Sequence, residues 1–174
     1  SLGRDRAGQV WFDDLGVDNA GETPAAMLSA PPEIRPRLHA THKGSYGDVA
    51  VIGGAPGMTG AALLAASAAL HGGAGRVFVA LLDPQAMSVD TNQPELMLRP
   101  AASLDLTSMT VVCGCGGGDA VRHVLPRVIS TATHAVLDAD ALNSIAIDPQ
   151  LQTLLRARAQ RNDAQATTVL TPHP

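Results

Sequence analysis

Four short stretches hold the residue types that could do chemistry: GGAPGMTG (53–60), GCGGGD (114–119), DADALN (138–143) and TPHP (171–174). The first sets glycines at 53, 54, 57 and 60 around Thr59, directly before an aliphatic run. A helix starting there offers unpaired N–H groups and the positive end of its dipole, a setting that receives phosphate. Glycines also permit a tight strand-to-helix turn, and both readings stand. GCGGGD has the same two readings, but so bare a run is costly to order and suits a main chain that a ligand touches. Asp138 and Asp140 flank Ala139; they could hold Mg²⁺ through water or cap the following helix, and capping is the expected role of Asp140. His173 stands between two prolines, a stiffly held imidazole with no evident structural duty. Lys43, in HKG (42–44), could reach a phosphate as a point charge or be an ordinary solvated lysine. His71, His123 and His134 read as surface or satisfied histidines.

Two named motifs fail. No Gly-Lys-Ser/Thr run precedes the helix, so there is no P-loop. Residues 54, 57 and 60 give G-x-x-G-x-x-G, and the position two before Gly54 is Ile52, so the dinucleotide fingerprint is not met. Asp83 does fall where that fingerprint wants an acid, which keeps a nicotinamide dehydrogenase as a rival.

The elements that must position these stretches alternate. Strands are expected at DVAVIG (48–53), RVFVALL (76–82), 95–98, MTVVCG (109–114), HAVLD (134–138) and TTVL (167–170). Helices are expected from Thr59 to about Leu70, over 83–91 behind Asp83-Pro84, from Asp119 to about Ser130, and over 139–159 with a break at Asp148-Pro149. Aliphatic strands separated by helices predict a parallel sheet covered on both faces. The helix after Thr59 is Ala and Leu on nearly every side, so it is expected beneath neighbours. Ala61→Glu or Ala65→Glu should then abolish folding. The chemical stretches all follow strands and so gather on one sheet edge, where ligands of open α/β sheets bind.

Composition narrows the class. The 174 residues are 45% hydrophobic but only 2% aromatic, which calls for a core of Ala, Val, Leu and Ile in closely approaching layers. A formal charge of -4 and a pI near 5.8 argue against nucleic acid. No apolar run is long enough to span a bilayer. Cys113 and Cys115 are too close in sequence for an easy mutual disulfide and read as reduced turn residues, which fits a cytoplasmic setting. Residues 1–40 differ from the rest: Trp11, Phe12 and an acidic cluster lead into the proline-rich APPEIRPRL, read as a linker, with a domain boundary near His39.

Together HKGSYG, GGAPGMTGAALLAASAALHGGAGRV, QPELM, GCGGG, VLDADALN and TPHP resemble the ADP/ATP-dependent NAD(P)H-hydrate dehydratases, from about His42 to Pro174. GCGGG departs from the family's commoner GPGLG. The resemblance implies a ribokinase-like three-layer α/β/α fold with a mostly parallel sheet, represented here by its N-terminal part (41–174). Residues 1–40 resemble the tail of the NAD(P)H-hydrate epimerase domain of bifunctional bacterial proteins. The implied reaction is dehydration of NAD(P)H hydrated at C6 back to NAD(P)H, with ADP or ATP and Mg²⁺ as cofactors and a homo-oligomer as the assembly. Substrate-contacting positions fall on Ala61, Gly116 and His173, with Lys43, Gly57, Gly60, Asp138 and Asn143 as phosphate-loop and supporting residues. The family's general base, the Asp of a GTGD motif, has no counterpart in these residues, so the catalytic residue is not assigned and this segment alone is expected to be inactive. The alternatives are a vitamin-precursor kinase of the same fold and a non-catalytic nucleotide-binding module.

Overall fold

The computed structural model describes residues 8, 9, 11, 13, 15, 16, 39–161 and 166–172. The chain divides into two compact units, Ser1–Arg37 and Leu38–Pro174. In the first, the Leu15 amide donates to Asp13 Oδ1 at 2.9 Å. The expected proline-rich linker and His173 lie outside the described residues.

The second unit is built on a six-stranded, wholly parallel sheet. Its strands are β1 (Asp48–Gly53), β2 (Arg76–Leu81), β3 (Met97–Leu98), β4 (Thr110–Cys113), β5 (His134–Asp138) and β6 (Thr167–Thr171), in the spatial order β3-β2-β1-β4-β5-β6. The helices are α1 (Thr59–His71), α2 (Leu125–Thr131), α3 (Ala139–Ile147) and α4 (Pro149–Ala159). Valine, isoleucine and leucine fill both faces of the central strands, as burial on two sides requires. Ala50, Ile52, Val111, Cys113 and Leu137 point to one face, where they pack with Val128, Ala141 and Leu151 of α2, α3 and α4. Val51, Val77 and Val79 point to the other, onto Ala62 and Ala66 of α1. A paired Arg76 and Asp48 ties the starts of β1 and β2, the guanidinium Nε lying 2.7 Å from Oδ1.

Three expectations are corrected. No helix forms over 83–91. Asp83 Oδ1 accepts the Gln85 amide at 2.9 Å, Asp90 Oδ1 accepts the Asn92 amide at 2.9 Å, and these local turns outcompete a helix whose Met87 and Val89 stay exposed. The helix expected from Asp119 is two pieces, a 3₁₀ turn at Asp119–His123 and then α2, because Pro126 has no N–H to give Arg122. And α1 is not covered all round: Leu64 is 74% exposed, since the later helices all lie on the opposite face. The positions of α1 with no room at all for a charge are the fully buried Ala62 and Ala66, whereas Ala61 and Ala65 are half-buried.

The edge strand β6 is held from below by Arg158, which is only 4% exposed. Its guanidinium donates to Thr168 Oγ1 at 2.7 Å, Thr133 O at 2.9 Å and Thr167 O at 3.0 Å, and also to Ala132 O near the end of α2. A buried cation is thus satisfied by carbonyls and a hydroxyl.

Candidate functional site

From β1 the chain moves outward through β2 to β3, then returns to the other side of β1 with β4. The connections leave β1 and β4 in opposite directions, and the crevice between their carboxyl ends is where such sheets bind ligands. Both glycine stretches exit there, and they interlock. The Gly54 amide donates to Cys115 O at 3.0 Å, the Ala55 amide to Gly116 O at 2.7 Å, and the Gly114 amide to Ile52 O at 3.0 Å. A Cβ on Gly53 would meet Cys115 O at 2.3 Å, so this part of the glycine run exists for backbone-to-backbone contact.

Gly57 and Gly60 differ. A Cβ on either would meet nothing within 4 Å, so their bareness is not required by packing. Gly57 has φ +79°, which accounts for its own glycine; Gly60 lies within α1 and needs no special backbone. The amides of Thr59 and Gly60 at the start of α1 find no acceptor within the described residues. Ala61, one residue on, sits against the second loop, its Cβ 2.9 Å from where a Cβ of Gly116 would stand. Ala61, Gly57, Gly60 and Gly116 therefore share one rim.

The β5 exit joins this rim. Asp138 O would lie 2.0 Å from a Cβ on Gly114. Asp138 Oδ1 accepts the Thr171 hydroxyl at 2.7 Å, which brings the end of β6 alongside. Contrary to the expectation from sequence, Asp140 does not cap α3; its Oδ2 accepts the Gly118 amide at 2.8 Å and pins the glycine loop from the neighbouring exit. The two carboxylates are thus separately engaged, and among the described residues no group of three or more His, Cys, Asp or Glu side chains could hold a metal ion. Between them Ala139 has φ 38°, a left-handed conformation that is strained for a residue with a Cβ. Asn143 is exposed in a shallow cleft of about 250 Å³ with Gly118, Arg122 and Asp140. Under the loop, burial together with the nearby Asp138 pushes the Cys115 thiol up to about 11, and burial pushes Cys113 up to about 12.

Lys43 is not brought to this rim. It lies in a 3₁₀ turn ahead of β1, at the opposite sheet edge and about 20 Å away at strand rise, with its carbonyl against Gly75 at the entry to β2. The Asp140 tether and the Thr171–Asp138 bond were not foreseen. The paired acids of DADALN were the only signal for the first, and nothing in TTVLT pointed to the second.

The family model for NAD(P)H-hydrate dehydratase matches residues 49–174, which span every element of this rim. The chain belongs to the NAD(P)H-hydrate dehydratase family. Among similar dehydratases is the ADP-dependent (S)-NAD(P)H-hydrate dehydratase of Neisseria meningitidis, 38% identical over 166 residues, covering 89% of this chain and 54% of that protein. The bifunctional NAD(P)H-hydrate repair enzyme of Coxiella burnetii is 41% identical over 151 residues, 82% of this chain and 28% of that protein. The corresponding bifunctional enzyme of Escherichia coli, 35% identical, aligns with 98% of this chain and 33% of its own length. This chain therefore spans about half, or less, of the dehydratases and repair enzymes it matches. Among solved structures, an ADP/ATP-dependent NAD(P)H-hydrate dehydratase from Bacillus subtilis, co-crystallised with ATP and Mg²⁺, superposes with TM-score 0.50 at 28% identity over 63% of this chain and 43% of that one. A ribokinase-like protein from Enterococcus faecalis superposes with TM-score 0.55 at 20% identity over 80% of this chain and 62% of that one, a likeness of fold alone.

Proposed function

We propose that this chain forms the substrate-binding half of a dehydratase that returns hydrated NADH or NADPH to the reduced cofactor in an ADP- or ATP-dependent reaction. The observation that carries the reading is the rim itself: Gly57 and Gly60 are open to solvent above the unpaired amides of α1, next to an Ala61–Gly116 contact, in a chain of this family. When bound, ADP or ATP supplies the phosphoryl group that turns the C6 hydroxyl into a leaving group.

The residues of this chain bind and orient. The Thr59 and Gly60 amides receive the substrate's pyrophosphate at the positive end of the α1 dipole. Ala61 and Gly116, small and touching, set the floor of the slot and let the hydrated ring approach the main chain. Asp140 holds the Gly118 amide, and Thr171 holds Asp138, so the loop is fixed before substrate arrives. The fit of the open glycines is to a phosphate ester. Among the described residues no group of three or more His, Cys, Asp or Glu side chains gathers to hold Mg²⁺, so the ion is read as arriving with the nucleotide's phosphates. His173 completes the substrate contacts in this reading, and Lys43 has no part in it.

Residues 1–40 are read as the tail of an epimerase-like domain with its linker. The support is the Escherichia coli bifunctional relative, whose alignment includes nearly the whole chain. Among the described residues no helix is long and apolar enough to cross a membrane. The free thiols of Cys113 and Cys115 support a cytoplasmic setting, and the exposed Leu64 and Val169 support a homo-oligomer.

Thermal unfolding tests the reading. Millimolar NADH or NADPH should raise the melting temperature, because a ligand bound only by the folded state must do so. No shift with either dinucleotide would overturn the proposal.

A further inference from the structure

A second cleft, of about 300 Å³, opens beyond the carboxyl ends of β2 and β3 and includes Leu81, Asp83, Met87, Ser88, Leu98 and Arg99 in its lining. It adjoins the glycine rim directly. The Leu82 amide donates to Gly53 O at 2.8 Å, and Leu81, which lines the cleft, puts Cδ2 2.8 Å from where a Cβ of Gly54 would stand. The volume suits one nucleoside and not a whole dinucleotide. Its walls combine an apolar floor with one carboxylate and one guanidinium that do not pair with each other. Asp83 spends Oδ1 on the Gln85 amide at 2.9 Å, which leaves Oδ2 to accept. The Arg99 side chain makes no hydrogen bond or ion pair within the described residues, while its backbone amide is fixed on Val79 O at 2.9 Å.

From this geometry we infer that the cleft takes the adenosine half of the dinucleotide, a step that rests on the substrate reading above. In parallel sheets of this strand order a dinucleotide lies across the switch point, and an acid at the end of the second strand accepts from the ribose hydroxyls. Asp83 stands at that place, just after β2, although the glycine motif ahead of it lacks the usual spacing. With the pyrophosphate on the α1 amides, the adenosine runs toward β2 and β3. Its ribose meets Asp83 Oδ2, and its base lies on Leu81 and Leu98 under the planar guanidinium of Arg99. A ribose 2′-phosphate would be set against the Asp83 carboxylate, so the cleft favours the hydrate of NADH over that of NADPH.

The test titrates ADP-ribose, 2′-phospho-ADP-ribose and nicotinamide mononucleotide into the 174-residue chain by calorimetry, with wild type and Asp83→Asn. Asparagine keeps the acceptor for the Gln85 amide and removes the charge. Wild type should bind ADP-ribose more tightly than its 2′-phosphate. Asp83→Asn should weaken ADP-ribose about tenfold or more, erase the preference, and leave nicotinamide mononucleotide unchanged. Equal ADP-ribose affinity in wild type and variant, with nicotinamide mononucleotide still bound, overturns this inference alone; no binding of any probe overturns the substrate reading with it. If the variant does not fold, amide resonances of the wild type decide. Shifts on adding ADP-ribose at 83–88 and 98–100 support the cleft, and shifts confined to 118–143 contradict it.

Discussion

Two thiols lie directly beneath the glycine-rich turn after β4, and both are held protonated. Burial raises Cys113 to about 12, and burial with Asp138 raises Cys115 to about 11, from an ordinary 9.0. The unfolded chain loses these protons near pH 9 while the folded chain keeps them, so their contribution to stability is complete below pH 9 and declines as the pH climbs through 11 to 12. The denaturation midpoint of wild type should therefore fall between pH 9 and 11 more steeply than that of a Cys113→Ala/Cys115→Ser variant; parallel curves would contradict the burial described. At this scale the sequence was partly legible. The reduced, inert character of both cysteines follows from their spacing. The duty of Asp140 does not, because the Gly118 amide it binds belongs to a loop 22 residues away. A carboxylate in the first turn of a helix looks like local chemistry until the neighbouring strand is placed. Ala139, strained at φ 38°, shows no sign of it in its type.

Elements were legible where one residue pattern allowed one structure. β1 and β5 fall where their aliphatic runs put them, and the break at Asp148-Pro149 separates α3 from α4, with Asp148 Oδ1 accepting the Gln150 amide at 2.9 Å. The stretch after Asp83 was misleading because Asp-Pro opens helices and turns alike, and only burial distinguishes them. Besides its backbone bonds to the first loop and β1, the glycine loop has a charge-assisted tether, the Gly118 amide on Asp140. Asp140→Ala, which removes the acceptor of the Gly118 amide, should cost about 2 kcal/mol in denaturant unfolding and weaken NADH binding together, because the same bond orders the loop and shapes the rim. Unchanged stability with unchanged binding would show that the Gly118 contact is dispensable. In the β2–β3 segment the carboxylates of Asp83 and Asp90 fix the turns.

For the whole molecule, the parallel sheet sorts its helices unevenly. α2, α3 and α4 cover one face, while among the described helices only α1 covers the other, beside β1 and β2. At the far edge every residue of β6 is exposed, including Val169 at 51% and Leu170 at 49%. Unpaired ladder groups and apolar side chains on one edge invite another strand. The chain should self-associate at high concentration, and Val169→Lys should suppress this in sedimentation without altering the melting temperature by more than a few degrees; a wild type that stays monomeric throughout would refute the edge as an association surface. The alternation of strand and helix foretold a parallel sheet. The bareness beside α1 it did not foretell, since its aliphatic composition reads as full burial.

The central claim is that Gly60 is bare for a ligand and not for the fold. It sits in α1 with open space where a side chain would go, so Gly60→Ala should raise stability by about 0.5–1 kcal/mol on helix propensity. If the substrate's pyrophosphate rests on that backbone, the same change should weaken NADH at least about tenfold, from steric intrusion. Calorimetric NADH affinity measured beside the denaturation midpoint, in wild type and Gly60→Ala, decides the matter. A more stable protein that binds NADH poorly is the predicted result, and a variant that binds NADH as tightly as wild type would contradict the account.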